Sequence, residues 1–319
     1  MKYKILFCNK QHKETIKYIA KLLDKDKYVL ERCDVSELKE KIRNAHVALP
    51  LMSRLTKDII ECAENLKLIQ QFGVGLEGVD IEAATKQKIY VANVPSHNTG
   101  NAYSVSEMTL FLILALLKEY NECNYAFQNK MIGYPLGDTL TDKNILILGY
   151  GNIGRAIVDI IKSFNVNITV ATRSEHKDKD KISFIKLNEI EKILNKTDFL
   201  IAALPLNKGT KDFIDEKILF KMKRESFFIN VARGGVVKYS ALLSALKDNY
   251  IKGAGLDVFW EEPFNPEDEI LKYNVIVTPH VAGSTRLSYR LISQVVADNI
   301  VRVLEKNIPP ENCVNEFRW

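Results

Sequence analysis

The chain has no closely spaced cysteines: its five, Cys8, Cys33, Cys62, Cys123 and Cys313, lie far apart. Neither a disulfide framework nor the paired spacing of a zinc site is expected from them. No signal peptide opens the sequence, and free thiols in a reducing cytoplasm are the expectation that follows. Blocks of like charge are missing as well. The 45 basic and 40 acidic residues are scattered, for a formal net charge of +5, which argues against a nucleic-acid or membrane-surface partner. The most apolar stretch, residues 108–117, falls well short of the roughly 20 residues that cross a bilayer, so it reads as a buried helix. There is no internal repeat and no low-complexity tract.

What the chain does have is length and alternation. Its 319 residues, 46% of them hydrophobic, exceed one ordinary core and point to two domains. The first hundred alternate short apolar runs such as "YKILFC", "HVALPL" and "IYVANVP" with helical patterns such as "ETIKYIAKLL" and "ELKEKIRNA". That alternation implies βαβ units and a parallel sheet. From Ser104 the pattern becomes one long helix, "SVSEMTLFLILALLKEYNECNYAF", able to carry the chain out of the first domain. After a loop, a second βαβ series runs from "NILILGYGNIG" to "NVIVTPH", followed by a helix from about Leu287 to Glu305. The second series is complete without that helix, which is free to return to the first domain. The expected fold class is α/β, two Rossmann-like doubly wound parallel-sheet domains with a cleft between them.

"ILILGYGNIG" joins a buried strand to a glycine-rich turn and a helix. Gly149, Gly151 and Gly154 fit the spacing G-x-G-x-x-G: the first permits a tight turn, the second lets backbone approach a pyrophosphate, and the third lets helix lie close to strand. The N–H groups of Asn152 and Ile153 at the helix start would bind the phosphates. Glycines alone mark only a turn; the strand before them and the helix after them make this a dinucleotide site. At the end of the next strand, where an acid normally binds the ribose of NAD, the sequence reads "VATRS". Thr172 stands in place of the acid, and Arg173 can pair with a 2′-phosphate while Thr172 and Ser174 donate hydrogen bonds. NADP is therefore favoured over NAD; the alternative is a solvated Arg173 and use of both.

Three later segments end strands of the same sheet: "INVARGG" with Arg233, "GLDVFWEEP" with Asp257, Glu261 and Glu262, and "VTPH" with His280. Ligands of open α/β sheets bind at the carboxyl ends of strands, so these polar residues would converge on one end of the cofactor. A carboxylate such as Glu262 near His280 favours the charged imidazole, an acid suited to reducing a carbonyl. Arg233 offers the planar fork that a substrate carboxylate needs.

With "QQFGVGLEGVD", "TGNAYSVSEMTL", "GYGNIG", "NVARGG", "GAGLDVFWEEP" and "TPHVAGST" in this order, nearly the whole chain resembles the D-isomer-specific 2-hydroxyacid dehydrogenases. That resemblance implies a discontinuous substrate domain, residues 1–101 plus 286–319, around an NAD(P)-binding Rossmann domain, residues 102–285. It implies a homodimer built through the cofactor domains, with the loop before "DTLTDKNILILG" embracing the neighbour. It further implies that Arg233 binds the substrate carboxylate and keto oxygen, that His280 protonates that oxygen, and that Glu262 keeps His280 acidic. Asp257 would accept from the nicotinamide carboxamide, Val231 and Ala232 would pass along the cofactor by their backbone, and Leu204 and Pro205 would border the adenosine. The N–H groups of Val74 and Gly75 would hold the substrate carboxylate from the other domain.

The activity this implies is hydride transfer between NAD(P)H and a small 2-oxo acid, glyoxylate or hydroxypyruvate first, since "VATRS" suits the NADPH-using branch. A phosphoglycerate dehydrogenase is the alternative, although the chain stops soon after "PPENCVNE" with no regulatory domain. A cofactor-sensing corepressor is an alternative of another class, distinguished by lack of turnover. A short-chain dehydrogenase would need Tyr-x-x-x-Lys, which is absent. The pocket for the substrate side chain would come from residues 72–77 and 98–103, and its preference is not legible. Glu261 reads as solvated, Trp260 as lining the cleft or packing on its loop, His97 as near the hinge, and His12, His46 and His176 as surface residues.

Overall fold

A computed structural model of the chain describes residues 2–11, 13–177 and 182–315; His12 lies outside them. The chain divides into two compact units, Met1–Asn101 with Thr285–Trp319, and Ala102–Ser284.

The first unit holds a five-stranded sheet of β1 (Tyr3–Phe7), β2 (Tyr28–Arg32), β3 (Val47–Leu49), β4 (Leu68–Gln70) and β5 (Tyr90–Ala92). All pairs are parallel, in the order β2-β1-β3-β4-β5, the flavodoxin-like arrangement. Strands β3, β4 and β5 are buried on both faces because both are covered, while the edge strand β2 leaves Val29 and Arg32 exposed. Ile5, Phe7, Val47, Leu49 and Leu68 face one layer, which includes Ile292, Val296, Ile300 and Val303 of the last helix, Arg286–Leu304. Leu6, Ala48, Ile69 and Val91 face the other, against Leu38, Ile42, Ile60 and Ala84. The last helix therefore does return to the first sheet, and the chain after it lies along β5, where Val314 N–H donates to Val91 O at 2.8 Å. That covers an edge otherwise open to another strand.

The second unit holds β6 (Asn144–Leu148), β7 (Asn167–Thr172), β8 (Ile182–Lys186), β9 (Phe199–Ala202), β10 (Phe227–Asn230), β11 (Gly253–Leu256) and β12 (Val275–Val277). They form one parallel sheet in the order β12-β11-β10-β9-β6-β7-β8. The chain winds outward from β6 toward β8, then returns to β9 and winds the other way, so the order reverses between β6 and β9. That switch point is where doubly wound sheets leave a crevice for ligand. Alternate residues of β6 enter the two cores: Ile145 and Ile147 with Leu112, Leu116 and Ile157, Leu146 and Leu148 with Leu219, Leu242 and Leu246.

The long helix expected from Ser104 is in fact two, Asn101–Leu117 and Tyr120–Gln128. Glu119 between them is left-handed, with φ 51°, a conformation costing an ordinary residue about 1–2 kcal/mol. Its carboxylate lies 2.8 Å from Lys252 Nζ, a tertiary tie that helical periodicity could not announce. Two histidines expected at the surface are half-buried instead. His46 accepts from Lys4 N–H at 3.1 Å through Nδ1 and meets the Tyr3 ring edge-on, and burial pushes its pKa below the usual value. His176 packs with Tyr150 and Phe184.

Candidate active site

The glycine turn follows β6, and its three glycines have three different causes. Gly149 has φ +102°, and a Cβ there would lie 2.6 Å from Ala203 O. At Gly154 a Cβ would sit 2.2 Å from Gly149 O, so the helix can start this close to the turn only without a side chain. Beside Gly151, by contrast, a Cβ would meet nothing within 4 Å. The helix Asn152–Ile161 begins at this open position with no side-chain cap, which leaves the N–H groups of Asn152 and Ile153 without a protein acceptor. Unpaired N–H groups beside open space at a helix start suit a pyrophosphate, so the residues present fit a dinucleotide.

At the adenosine end, Thr172 closes β7 and its Oγ1 accepts from Ser174 N–H at 3.3 Å, which leaves its own hydroxyl proton to donate elsewhere. Arg173 and Ser174 are exposed. Glu175, the next acid along the chain, is solvent-facing, 3.6 Å from Lys186 Nζ. After β9, Leu204 is buried against the turn, its Cδ2 3.3 Å from where a Gly149 Cβ would be, and Pro205 is exposed.

The other end of the cofactor crevice is built by three adjacent strand ends. Beyond β10, the fully buried Asn230 accepts from Ala232 N–H and donates to Arg233 O, both at 3.0 Å. Val231 and Ala232 are buried, while Arg233 Nη1 donates to Ala232 O at 2.7 Å. The next residue, Gly234, lies so close to the loop after β11 that a Cβ would fall 2.0 Å from Phe259 O. A side chain there would push the two loops apart and separate Arg233 from Glu262.

Glu262 is held at both oxygens. Oε1 accepts from Phe259 N–H at 3.1 Å, and Oε2 lies 2.7 Å from His280 Nδ1. Burial pushes its pKa up, but the bond and charge of His280, with Arg233 adding to them, hold the carboxylate below its ordinary value. His280 has φ 53°, again the left-handed region, and such strain persists only where surroundings impose it. They do so through Asp257, 1% exposed. Its Oδ1 accepts from Thr278 Oγ1 at 2.6 Å and Val281 N–H at 2.9 Å, and its Oδ2 from Ala282 N–H at 3.0 Å. Burial pushes the Asp257 carboxyl above its usual value, against the pull of these donors. With Nδ1 engaged, Nε2 of His280 makes no hydrogen bond among the described residues. The arrangement is an imidazole oriented by a carboxylate, able to give or take a proton at Nε2.

Several residues that shape the site carry no motif of their own. Asn230 and Thr278 stand inside the quoted segments, but only the fold shows that they brace Arg233 and His280. Trp260 donates from Nε1 to Val237 O at 2.6 Å and meets Tyr239 edge-on, so its indole is packing for its own loop. Glu261 and His97 are exposed. In the first unit, Val74 and Gly75 lie in the loop after β4. Neither N–H donates to a protein acceptor among the described residues.

The profile of "D-isomer specific 2-hydroxyacid dehydrogenase, NAD binding domain" matches residues 110–282. A glyoxylate reductase of Thermococcus litoralis is 33% identical over 289 residues, 88% of this chain and 86% of its own. The fold is shared with an NAD-dependent formate dehydrogenase from Staphylococcus aureus in complex with NAD, TM-score 0.86, 24% identity, all of both chains covered. It is shared also with an NADPH-dependent glyoxylate/hydroxypyruvate reductase from Sinorhizobium meliloti in complex with NADP and malonate, TM-score 0.84, 24% identity, 98% and 97% covered. One fold thus serves both cofactors. From profile, relative, sheet order and glycine turn together, the chain belongs to the D-isomer specific 2-hydroxyacid dehydrogenase family and is an NAD(P)-binding oxidoreductase.

Proposed function

We propose that this enzyme is an NADPH-preferring reductase of small 2-oxo acids, glyoxylate and hydroxypyruvate foremost. The observation that carries the reading is the 2.7 Å contact of His280 Nδ1 with Glu262 Oε2 at the strand ends of a nucleotide-binding sheet. Glyoxylate reductases among the relatives support the substrate class, and they favour neither the phosphoglycerate dehydrogenase nor the corepressor alternative.

Bound NAD(P)H supplies the hydride that the carbonyl carbon receives. His280 gives the proton from Nε2 to the carbonyl oxygen, and Glu262 orients the ring and stabilises its charged form. Arg233 pairs its guanidinium with the substrate carboxylate and oxygen, a two-pronged contact that an ammonium cannot make. Val74 and Gly75 offer their N–H groups to the same carboxylate, which assigns substrate binding to residues 1–101 plus 286–319 and cofactor binding to residues 102–285. Asp257 keeps lone pairs on Oδ2 for the nicotinamide carboxamide while bracing the His280 loop. Asn152 and Ile153 hold the phosphates, the backbone of Val231 and Ala232 lines the cofactor's path, and Leu204 and Pro205 border the adenosine. Thr172, Arg173 and Ser174 receive a 2′-phosphate.

A homodimer is supported by an apolar surface that a monomer would leave in water. Phe127, Ile132 and Leu136 are 86%, 100% and 89% exposed, within one short segment, the kind of surface that marks an interface. All five cysteines are free, which supports a reducing cytoplasmic setting. No helix among the described residues is long and apolar enough to cross a membrane.

A steady-state screen of glyoxylate, hydroxypyruvate, pyruvate, phenylpyruvate and 3-phosphohydroxypyruvate with each cofactor tests the reading. Highest kcat/KM is expected for glyoxylate or hydroxypyruvate with NADPH. Highest kcat/KM for 3-phosphohydroxypyruvate, or no turnover of any of them, would overturn it.

A further inference from the structure

The loop after β4 has three consecutive carbonyls held in place, each by a different donor. Gly73 O accepts from Val94 N–H at 2.8 Å. Val74 O accepts from Asn93 Nδ2 at 2.8 Å, and Gly75 O from Gln71 Nε2 at 2.7 Å. In a trans peptide the C=O and the following N–H lie in one plane and point opposite ways. Pinning these three carbonyls therefore turns the N–H groups of Val74, Gly75 and Leu76 each away from the donor that holds its carbonyl. None of the three donates to a protein acceptor among the described residues. Gly73, with φ +133°, lets the chain make the bend. Gln71 is itself fixed: Nε2 also donates to Leu51 O at 3.1 Å, and Oε1 accepts from Phe72 N–H at 3.0 Å.

We infer that Gln71 and Asn93 are positioning residues that aim three consecutive N–H groups, those of Val74, Gly75 and Leu76, at the substrate carboxylate. The inference rests on the proposed reading that this loop holds that carboxylate, and it adds a third donor and the two side chains that set the aim. Successive N–H groups presented together form a concave anion site from backbone alone. Such a site discriminates by geometry, so a peptide free to rotate would lose the carboxylate without any change in charge. Neither side chain needs to touch substrate.

The test uses neutral replacements, Asn93→Ala and Gln71→Met, so that no new charge enters the loop. The readouts are KM for glyoxylate, Ki for the carboxylate analogue oxamate, Kd for NADPH and Tm of the full chain. Asn93→Ala removes one orienting hydrogen bond and Gln71→Met removes that to Gly75 O together with those to Leu51 O and Phe72 N–H; each is expected to raise KM and Ki about tenfold, with NADPH affinity and Tm held. Unchanged Ki in both variants overturns the inference. So does a rise in Ki accompanied by equal loss of NADPH affinity or by collapse of Tm, since that is a general structural role. Gly75→Pro, which deletes one of the N–H groups, separates the two levels of the argument. If it leaves Ki untouched, the loop does not hold the carboxylate and the parent reading falls with the inference. If it raises Ki while Asn93→Ala and Gln71→Met do not, only the positioning role fails.

Discussion

Replacing Glu262 by glutamine isolates what the carboxylate does for His280. The amide keeps the size of the side chain and can still accept from Phe259 N–H through its oxygen, a contact of 3.1 Å in the parent. The atom then facing His280 Nδ1 is an NH2 group, which donates to the ring and holds it neutral. Two opposite charges about 4 Å apart interact by about 4 kcal/mol at an effective dielectric of about 20. The His280 and Glu262 side chains are 32% and 19% exposed, so solvent screens part of that. A charge-assisted hydrogen bond contributes about 1.5–3 kcal/mol, and this half-screened pair about 2 kcal/mol. At about 1.4 kcal/mol per tenfold, kcat/KM for glyoxylate should fall roughly 30-fold near neutral pH. The assay is steady-state NADPH oxidation at saturating cofactor, with NADPH Kd measured separately and expected to stay put. A kcat/KM within about threefold of the parent, less than about 0.7 kcal/mol, would refute the claim that this pair creates the acid.

The adenosine end, the exposed apolar segment and the acid stability of Glu262 each give a further test. Arg173→Ala should weaken NADPH binding about tenfold or more while leaving NADH binding nearly unchanged; equal losses for both, by fluorescence titration, would remove the arginine from 2′-phosphate recognition. Changing Ile132 and Leu136 to aspartate should turn a dimer into monomers in light scattering, because each puts a charge into apolar surface; a dimer that survives both changes places the interface elsewhere. Because the Glu262 carboxylate is held below its unfolded value of about 4.5, its contribution to stability is present above that pH and is lost as pH falls through the folded value. Tm of Glu262→Gln should therefore fall less than that of the parent on acidification through this range, and parallel curves would contradict the sign.

The fold class was legible because a doubly wound sheet writes itself locally. Continuous apolar runs such as "NILIL" need cover on both faces, and helical patterns of the right length between them supply it. The glycine turn was legible for the same reason: Gly149 and Gly154 answer to backbone crowding within a few residues. The helix break at Glu119 was not, since the pattern of apolar residues runs through it and the tie to Lys252 spans 133 residues. Nor was the burial of His46 and His176, because the aromatic rings they meet, Tyr3 for the one and Tyr150 and Phe184 for the other, are far from them in sequence or on other elements.

The order and type of the residues determined the α/β class, the dinucleotide turn and the set of polar residues at strand ends. Tertiary structure alone decided which of those residues meet. His280 and Glu262 are 18 residues apart, and their contact depends on β11 and β12 ending side by side. Arg233 reaches the same place because a glycine lets two loops touch through their backbones. Asp257, expected from the sequence to accept from the nicotinamide carboxamide, is also a buried brace that holds His280 in a left-handed conformation. The physical reason is common to all of these. Hydrophobic periodicity is a local signal, whereas the aim of a side chain is set by hydrogen bonds from strands that the sequence order keeps far apart.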